Sequence, residues 1–214
     1  MYQRRFGKEQ AARNAVWQVL ARTVFQPYID PSARVLDLGC GYGQFINNIR
    51  CGEKLAMDLN PAAADYLHPD VRFLRQDCSL RWDLADSSLD VVFTSNFFEH
   101  LPHKEALAAT VGEAARCLRK DGRLIAMGPN IRYVGGAYWD FWDHHLPLTD
   151  LSLRELLELK GFRMERIVPR FLPYTMVGKR PAPLVALKLY LRIPIAWKIF
   201  GQQFLLVATA SGGA

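Results

Sequence analysis

The amino-acid sequence predicts an α/β fold built around a doubly wound, mostly parallel sheet. Short β-rich apolar runs alternate with helix-like segments between about residue 34 and residue 130. The run LDVVFTSN (89–96) is nearly all apolar, as a strand covered on both faces must be. Such strict alternation is typical of βαβ units, in which consecutive strands lie parallel and the connecting helices cover the sheet.

The individual elements follow from the spacing of apolar residues and from turn signals. The expected strands are residues 34–39, 54–60, 71–77, 89–96, 122–130, 162–171 and 202–210. The expected helices are residues 4–25, 44–50, 61–67, 103–120 and 151–162. Pro61 suits the first turn of its helix. Thr149 or Asp150 is expected to cap the last of these helices, and Gly161 to end it.

Length and composition favour a single globular domain. The chain has 214 residues, of which 50% are hydrophobic and 22% charged, and this excludes wholesale disorder. We divide it into an N-terminal helix (1–30), a ligand-binding core (31–165), an apolar and basic insert (171–200) and a final strand (202–210).

The cysteines and the N-terminus indicate a cytoplasmic protein. Four cysteines stand far apart, with no CxxC pair and no histidine at ligand spacing: Cys40, Cys51, Cys78 and Cys117. A disulfide framework or a zinc site is therefore not expected, and a reducing compartment fits best. The polar start MYQRRFGKEQ leads into no apolar stretch, which argues against a signal peptide.

Positive charge is concentrated in the last quarter of the chain. From Arg166 to Ala214 there are seven basic residues and no acidic one, so with a total of +6 the first 165 residues carry −1. This imbalance predicts an anionic partner for the C-terminal quarter, namely phosphate, membrane or nucleic acid, unless these residues are simply a solvated face.

A glycine-rich turn, DLGCGYG (37–43), follows the first strand. Glycine lets the backbone turn sharply and approach a ligand that a Cβ would repel. The helix expected next would offer free amides and a partial positive charge to a carboxylate or phosphate. The spacing is DxGxGxG rather than the GxGxxG of dinucleotide sites, because Gln44 stands where the third glycine would be.

Polar residues close the next three strands. Asp58 ends the second strand, where a carboxylate can accept both hydroxyls of a ribose, in NAD as well as in other nucleosides. Asp77 ends the third strand and is a candidate to bind an adenine amino group. Asn96 ends the fourth strand, beside the crevice where open α/β sheets bind their ligands. Each is alternatively a helix cap or a loop residue, but their joint position on consecutive strand ends favours a binding site.

The motifs VLDLGCGYG, AMDLNP, RQDCSL, LDVVFTSNFFEHLP and LRKDGRLIAMGPN together resemble the consecutive motifs of class I S-adenosylmethionine (SAM)-dependent methyltransferases. The branch they resemble is the small bacterial one labelled type 11. The resemblance covers residues 33–165 and the terminal strand. It implies a Rossmann-like sheet of seven strands with the last strand antiparallel, SAM as the cofactor, and methyl transfer as the activity.

The resemblance also implies which residues bind SAM. The three glycines would pass the methionine part and Asp37 would orient it. Asp58 would hold the ribose, Asp77 with the Cys78 amide would recognise adenine, and the Asn96 backbone would lie near the sulfonium. The full expected set is Asp37, Gly39, Cys40, Gly41, Gly43, Asp58, Leu59, Asp77, Cys78 and Asn96.

Two regions supply candidate catalytic residues. His100 follows Glu99 just after the fourth strand, and its alternative role is packing at a helix start. The aromatic loop YWDFWDHH (138–145) contains His144 and His145, either of which could serve as a base oriented by Asp140 or Asp143. The loop is alternatively an acceptor-pocket wall or a structural plug at the sheet edge. No metal is expected there, because no third ligand is evident.

The insert LVALKLYLRIPIAWKIF (184–200) is too short and too basic to span a bilayer, and Pro194 interrupts it. On a helical wheel Lys188, Arg192 and Lys198 share one side, while Tyr190 and Trp197 lie largely opposite. This pattern favours a helix lying on an anionic membrane with its aromatic residues at headgroup depth. A lid over the site and a dimer contact are the alternatives, whereas nucleic acid is disfavoured.

The resulting hypothesis is a SAM-dependent methyltransferase acting on an oxygen, rather than a nitrogen, of a small or lipid-linked acceptor. A cell-envelope glycan precursor at the inner membrane is one such acceptor. The main alternative is a non-catalytic SAM-binding or membrane-docking protein with the same fold. An NAD-dependent oxidoreductase is disfavoured by Gln44 and Asp77.

Overall fold

The computed structural model describes residues 2–174 and 183–212, so the predicted basic residues Lys179 and Arg180 lie outside the described residues. The described chain forms a seven-stranded sheet in the order β3-β2-β1-β4-β5-β7-β6. The strands are β1 (Arg34–Leu38), β2 (Glu53–Met57), β3 (Val71–Leu74), β4 (Leu89–Ser95), β5 (Leu118–Pro129), β6 (Phe162–Val168) and β7 (Gln203–Ala210). Strand β7 is antiparallel to β5 and β6, and the pairs among β1 to β5 are parallel. The predicted fold class is therefore confirmed.

Helices cover both faces of the sheet. They are α1 (Tyr2–Leu20), α2 (Lys104–Cys117), α3 (Asp150–Leu159), α4 (Leu184–Leu191) and α5 (Pro194–Phe200). Helix α1 continues into a π-helical turn at Ala21–Phe25. The predicted cap of α3 is confirmed at Thr149, which forms a capping box with Ser152. Gly161 follows this helix at a φ of +83°, where a side chain would be strained.

Two of the predicted helices are wrong in type. The segment 44–50 contains a 3-10 turn at Ile46–Asn48, and the segment 61–67 is the 3-10 helix Pro61–Tyr66. Both segments are too short to offset the cost of starting an α-helix. Their asparagine side chains also bind the backbone directly, since the Asn60 side chain accepts from the Ala62 amide and the Asn47 amide donates to Tyr66.

The boundary between α2 and β5 also differs from the prediction. The helix ends at Cys117, and Leu118 already pairs with Leu89 in the sheet. The amides of Ser87 and Ser88 donate to the carbonyls of Arg116 and Cys117. These carbonyls at the end of the helix, which have no partner within it, are therefore hydrogen-bonded by a neighbouring loop.

Two hydrophobic cores lie on the two faces of the sheet. One contains the buried faces of α2 and α3, and the other contains the end of α1 and the partly buried residues of α4 and α5. Alternate residues of a strand enter opposite cores: Leu36 and Val92 contribute to the first, Val35 and Val91 to the second. The central strands are thus covered on both faces.

The carboxyl ends of the parallel strands meet at one edge of the sheet. Because Pro129 at the end of β5 pairs with Gln203 at the start of β7, the insert that precedes β7 returns to this same edge. In the part of the chain described, no helix is long and apolar enough to cross a membrane.

Candidate active site

The glycine turn after β1 lies at this edge and has a backbone that only glycine adopts easily. Gly39, Gly41 and Gly43 have φ angles of +69°, +49° and +64°. A Cβ on Gly39 would overlap the ring of Phe97, whereas a Cβ on Gly41 would meet nothing within 4 Å. The turn is therefore packed on one side and open on the other, as a backbone cradle for a ligand must be. The amides of Gly39 and Cys40 both donate to the Met57 carbonyl, which ties the turn to β2.

Asp37 lies beneath this turn and is 3% exposed. One of its oxygens accepts a long hydrogen bond of 3.4 Å from the Ile46 amide. Burial raises the pKa of this carboxyl to about 8, and the nearby Asp58 charge adds to the rise. A buried carboxylate without a cation among its described neighbours is suited to receive a positively charged group of a ligand.

Asp58 stands across from the turn at the end of β2. Its two carboxylate oxygens accept hydrogen bonds of 2.9 Å from the amides of Gly41 and Asn60. The carboxylate is thus fixed in orientation and half-buried, with lone pairs left for ligand hydroxyls. The neighbouring Leu59 side chain is 61% exposed, which leaves an apolar surface open beside the carboxylate.

Asp77 and Asn96 occupy the neighbouring strand ends. One oxygen of Asp77 accepts from both the amide and the hydroxyl of Ser79, and the adjacent Cys78 is buried. Asn96 has a φ of +49°, and its amide donates to the Met127 carbonyl. The structure therefore brings the predicted ligand-binding residues to one edge, and their individual roles stay predictions.

A second cluster lies just beyond β4 and joins two distant parts of the sequence. His100 ends the 3-10 helix Phe98–His100, and its Nδ1 lies 2.9 Å from the Asp143 carbonyl and 3.2 Å from the Asp143 carboxylate. The rings of His100 and His144 are 4.9 Å apart. One ligand atom from each of His100, Asp143 and His144 lies within 4.8 Å of the other two. We call these three side chains the imidazole cluster.

The buried Glu99 holds the loop of this cluster in place. It is 1% exposed, accepts a 2.7 Å hydrogen bond from the Tyr138 hydroxyl, and its carbonyl accepts from the amides of His145 and Leu146. Burial raises the pKa of Glu99, and burial together with the Glu99 carboxyl raises the pKa of Tyr138 far above its usual range. The Tyr138 ring stacks on His144 at 4.1 Å, so Glu99 positions the cluster indirectly.

All members of the cluster are among the residues predicted from the sequence, but their pairing is not. The orienting carboxylate was expected beside His144 or His145, whereas the structure has Asp143 against His100. His145 and Asp140 are exposed and are not members of the imidazole cluster. The positioning role of Glu99 was not predicted, although an acidic residue between apolar residues four positions after a buried strand is a signal for such a role.

The fold is that of known methyltransferases. A SAM-dependent methyltransferase from Archaeoglobus fulgidus superposes with a TM-score of 0.66 at 23% identity, over 92% of this chain and 94% of that one. SAM-dependent methyltransferases from Methanosarcina mazei (TM-score 0.65, 14% identity, 89% and 98% covered) and Mesorhizobium loti (TM-score 0.64, 16% identity, 91% and 97% covered) are similar. No curated protein sequence matches the chain.

A sequence-family comparison supplies the function that the fold alone does not. Residues 36–126 match the family model described as a methyltransferase domain, and these residues contain the glycine turn and Asp58. This match and the shared fold support a SAM-dependent methyltransferase domain that uses SAM as its cofactor. The open side of the glycine cradle and the buried Asp37 fit this cofactor, which carries an α-ammonium group as well as ribose hydroxyls.

We expect Asp58→Ala to weaken SAM binding about 10- to 150-fold, because a charged hydrogen bond contributes about 1.5–3 kcal/mol. Isothermal titration calorimetry measures this directly. The exposed Asp65 on the following 3-10 helix provides the control Asp65→Ala, which removes the same charge and should bind SAM like the wild type. Equal affinities in both variants would contradict the assignment of Asp58 to the cofactor.

The buried Asp37 predicts a pH-dependent stability. Its folded pKa of about 8 lies above the ordinary value of 3.8, so the folded protein retains a proton that the unfolded chain loses. The stability contributed by this proton is complete below the unfolded pKa and is lost as the pH rises through the folded one. Without SAM, the melting temperature should therefore fall between about pH 4 and about pH 8, level off above that range, and fall less in Asp37→Asn. Parallel pH profiles for the two proteins would exclude this effect.

Proposed function

We propose that the protein transfers the methyl group of SAM to an oxygen of a lipid-linked acceptor, such as a glycan precursor, at an anionic membrane surface. The observation that carries the proposal is an exposed apolar and basic surface on α4 and α5. The insert that carries this surface ends at the sheet edge that also holds the glycine turn, because Gln203 after it pairs with the end of β5. Methyltransferase activity follows from the family, and the acceptor and the membrane are the proposed part.

The exposed surface combines large apolar side chains with cations. Val185, Ile195 and Phe200 are 78%, 62% and 61% exposed. We call the whole surface the docking face, and its residues are Leu184, Val185, Lys188, Leu189, Arg192, Ile193, Ile195, Lys198, Ile199 and Phe200. Apolar side chains that enter a bilayer and cations that pair with anionic headgroups suit one occupant, an anionic lipid surface.

The insert differs from the sequence prediction in two respects. First, it forms two helices rather than one, because Pro194 begins α5 after a break. Second, Tyr190 and Trp197 face the protein instead of the lipid. The Tyr190 hydroxyl donates to the Phe171 carbonyl, and the Trp197 indole donates to the Tyr190 carbonyl while its ring packs on Phe171. The prediction that these aromatic residues lie at headgroup depth is therefore wrong.

The docking face is continuous with the sheet edge. An open cavity of about 460 Å³ is lined by Ile199 and Phe200 from the docking face and by Tyr133 and Gln202 from the edge. A lipid-linked acceptor could therefore keep its chain in the membrane while its head group reaches the edge of the sheet. A fully soluble acceptor gives no reason for large apolar side chains to be exposed there.

The imidazole cluster is the proposed place where the acceptor hydroxyl is activated. SAM supplies the reactivity, so the protein must hold the oxygen in line with the methyl group and remove a proton. Asp143 orients His100, and the backbone carbonyl of Tyr138 orients His144 through a 2.6 Å contact with its Nδ1. His100 and His144 thus remain the candidates, and His145 is the weaker one because it lies outside the cluster.

We expect His100→Gln and Asp143→Asn to lower methyl transfer, His100→Gln by about 10²- to 10⁴-fold, while SAM affinity stays near that of the wild type. The assay counts label from methyl-labelled SAM in a bacterial lipid extract dispersed as vesicles. Asp140→Asn removes an equivalent exposed carboxylate from the same loop and should retain activity. A parallel loss of SAM affinity in His100→Gln would instead mean that the cluster is structural.

Sedimentation with vesicles tests the docking face. The wild type should bind phosphatidylglycerol vesicles, bind neutral vesicles less, and be released by high salt because the Debye length shortens from about 8 Å. Replacing Lys188, Arg192 and Lys198 together by Gln should weaken binding about 100-fold, since each cation contributes about 1 kcal/mol, which is about fivefold.

A matched control separates the docking face from total charge. The triple change Lys120→Gln, Lys160→Gln and Arg163→Gln removes the same charge from exposed residues at the opposite edge of the sheet, and should leave vesicle binding unchanged. If the wild type stays in the supernatant with anionic vesicles, the membrane proposal fails. A concentration-dependent dimer under those conditions would then assign the docking face to a second copy of the chain.

A further inference from the structure

We infer that the imidazole cluster binds a divalent transition-metal ion. His100, Asp143 and His144 bring two imidazoles and one carboxylate together from segments 43 residues apart in sequence. No metal was expected from the sequence, because the loop alone offers no third ligand. In the structure, His100 from the segment just beyond β4 is that third side chain. Metal binding at this cluster does not depend on the proposed function; only the catalytic use of the bound ion rests on it.

Both imidazoles are held in a form that suits metal binding. Nδ1 of His144 lies 2.6 Å from the Tyr138 carbonyl, and Nδ1 of His100 lies 2.9 Å from the Asp143 carbonyl. A carbonyl only accepts, so each Nδ1 carries the proton and donates it. In the neutral ring the lone pair is then on Nε2, and metal-bound histidines commonly have their second nitrogen fixed in this way.

The three side chains are close enough to share one ion once they turn. One potential donor atom from each lies within 4.8 Å of the other two, whereas the donors of a tetrahedral ion at 2.0–2.1 Å stand about 3.4 Å apart, so the side chains must rotate to bring each Nε2 to the ion. The Asp143 side chain is 68% exposed and that of His100 is 33% exposed, so both can rotate toward an ion without disturbing the core. The backbone behind them is held by Glu99, which keeps the loop in register while the side chains move.

The donor set indicates the kind of ion and its use. Two imidazoles favour zinc, iron, cobalt or nickel, whereas magnesium prefers oxygen ligands throughout. Three protein ligands leave a coordination position open, as in catalytic rather than structural metal sites. The cluster is solvent-accessible, so this position can take an acceptor hydroxyl. The ion would lower the pKa of that hydroxyl, and the hydroxyl proton would pass to water. The remaining oxygen would then form a bond to the methyl carbon while the methyl–sulfur bond of SAM breaks.

Metal binding is tested on the full-length protein after dialysis against a chelator. Titration with zinc chloride in a calorimeter should give one site per chain, and cobalt chloride should give the intense visible absorption of a four-coordinate ion. Magnesium chloride should give no comparable heat. Asp143→Asn and His144→Gln should each weaken zinc binding at least about 10-fold, and His145→Gln, which changes the adjacent exposed imidazole, should bind zinc like the wild type.

The outcomes separate this inference from the proposed function. Zinc binding that is lost in His144→Gln and kept in His145→Gln supports the site even if no lipid acceptor is methylated. Absence of zinc and cobalt binding, or binding unchanged in both Asp143→Asn and His144→Gln, overturns it. Methyl transfer that persists undiminished in the chelator-treated protein would overturn the catalytic use of the ion and leave the imidazoles as the activating groups.

Discussion

The central strands are buried on both faces, and this burial restricts where polar side chains of the chain can lie. A strand such as β4, covered by helices on each side, is mostly apolar along its length, as in its central run Val91–Val92–Phe93. Polar and charged residues therefore collect where the strands end. Because the connections are βαβ units, the carboxyl ends of β1, β2 and β4 fall at one edge, and Asp58, Asn96 and His100 follow them there.

This constraint explains which parts of the molecule the sequence predicts well. The strands and the glycine turn depend on local patterns, so their positions were predicted within a few residues. The parallel direction of the strands follows from the alternation of strands and helices. The antiparallel last strand was implied only by the family resemblance, since β7 pairs with β5 across a long insert. The two mistaken α-helices lie in short segments such as 44–50, where contacts from asparagine side chains outweigh the helical pattern.

The imidazole cluster shows where local reasoning stops. No periodicity links His100 to Asp143, because their contact depends on how the loop after β5 folds back over the end of β4. That return is fixed by Glu99, which accepts two backbone amides from the loop and the hydroxyl of Tyr138. The backbone carbonyl of Glu99 binds the loop amides and its buried carboxyl binds Tyr138, so this one residue holds the loop against the end of β4. The orientation of Tyr190 and Trp197 could not be predicted for a similar reason. A helical wheel divides the residues of a helix into two sides, but it does not show which side packs against the protein.

The insert and the imidazole cluster are connected by a chain of packed side chains. Tyr174 packs edge-on against Tyr138 at 4.9 Å, and its amide donates to the Gln202 side chain at the base of α5. Tyr138 in turn stacks on His144. Contacts of this kind transmit a displacement only if the packed groups have two discrete arrangements. The buried hydrogen bond from Tyr138 to Glu99 opposes such movement, so these contacts keep the cluster at a fixed position relative to α5. Under the proposed membrane docking, a lipid-anchored acceptor would therefore meet the cluster at a constant height.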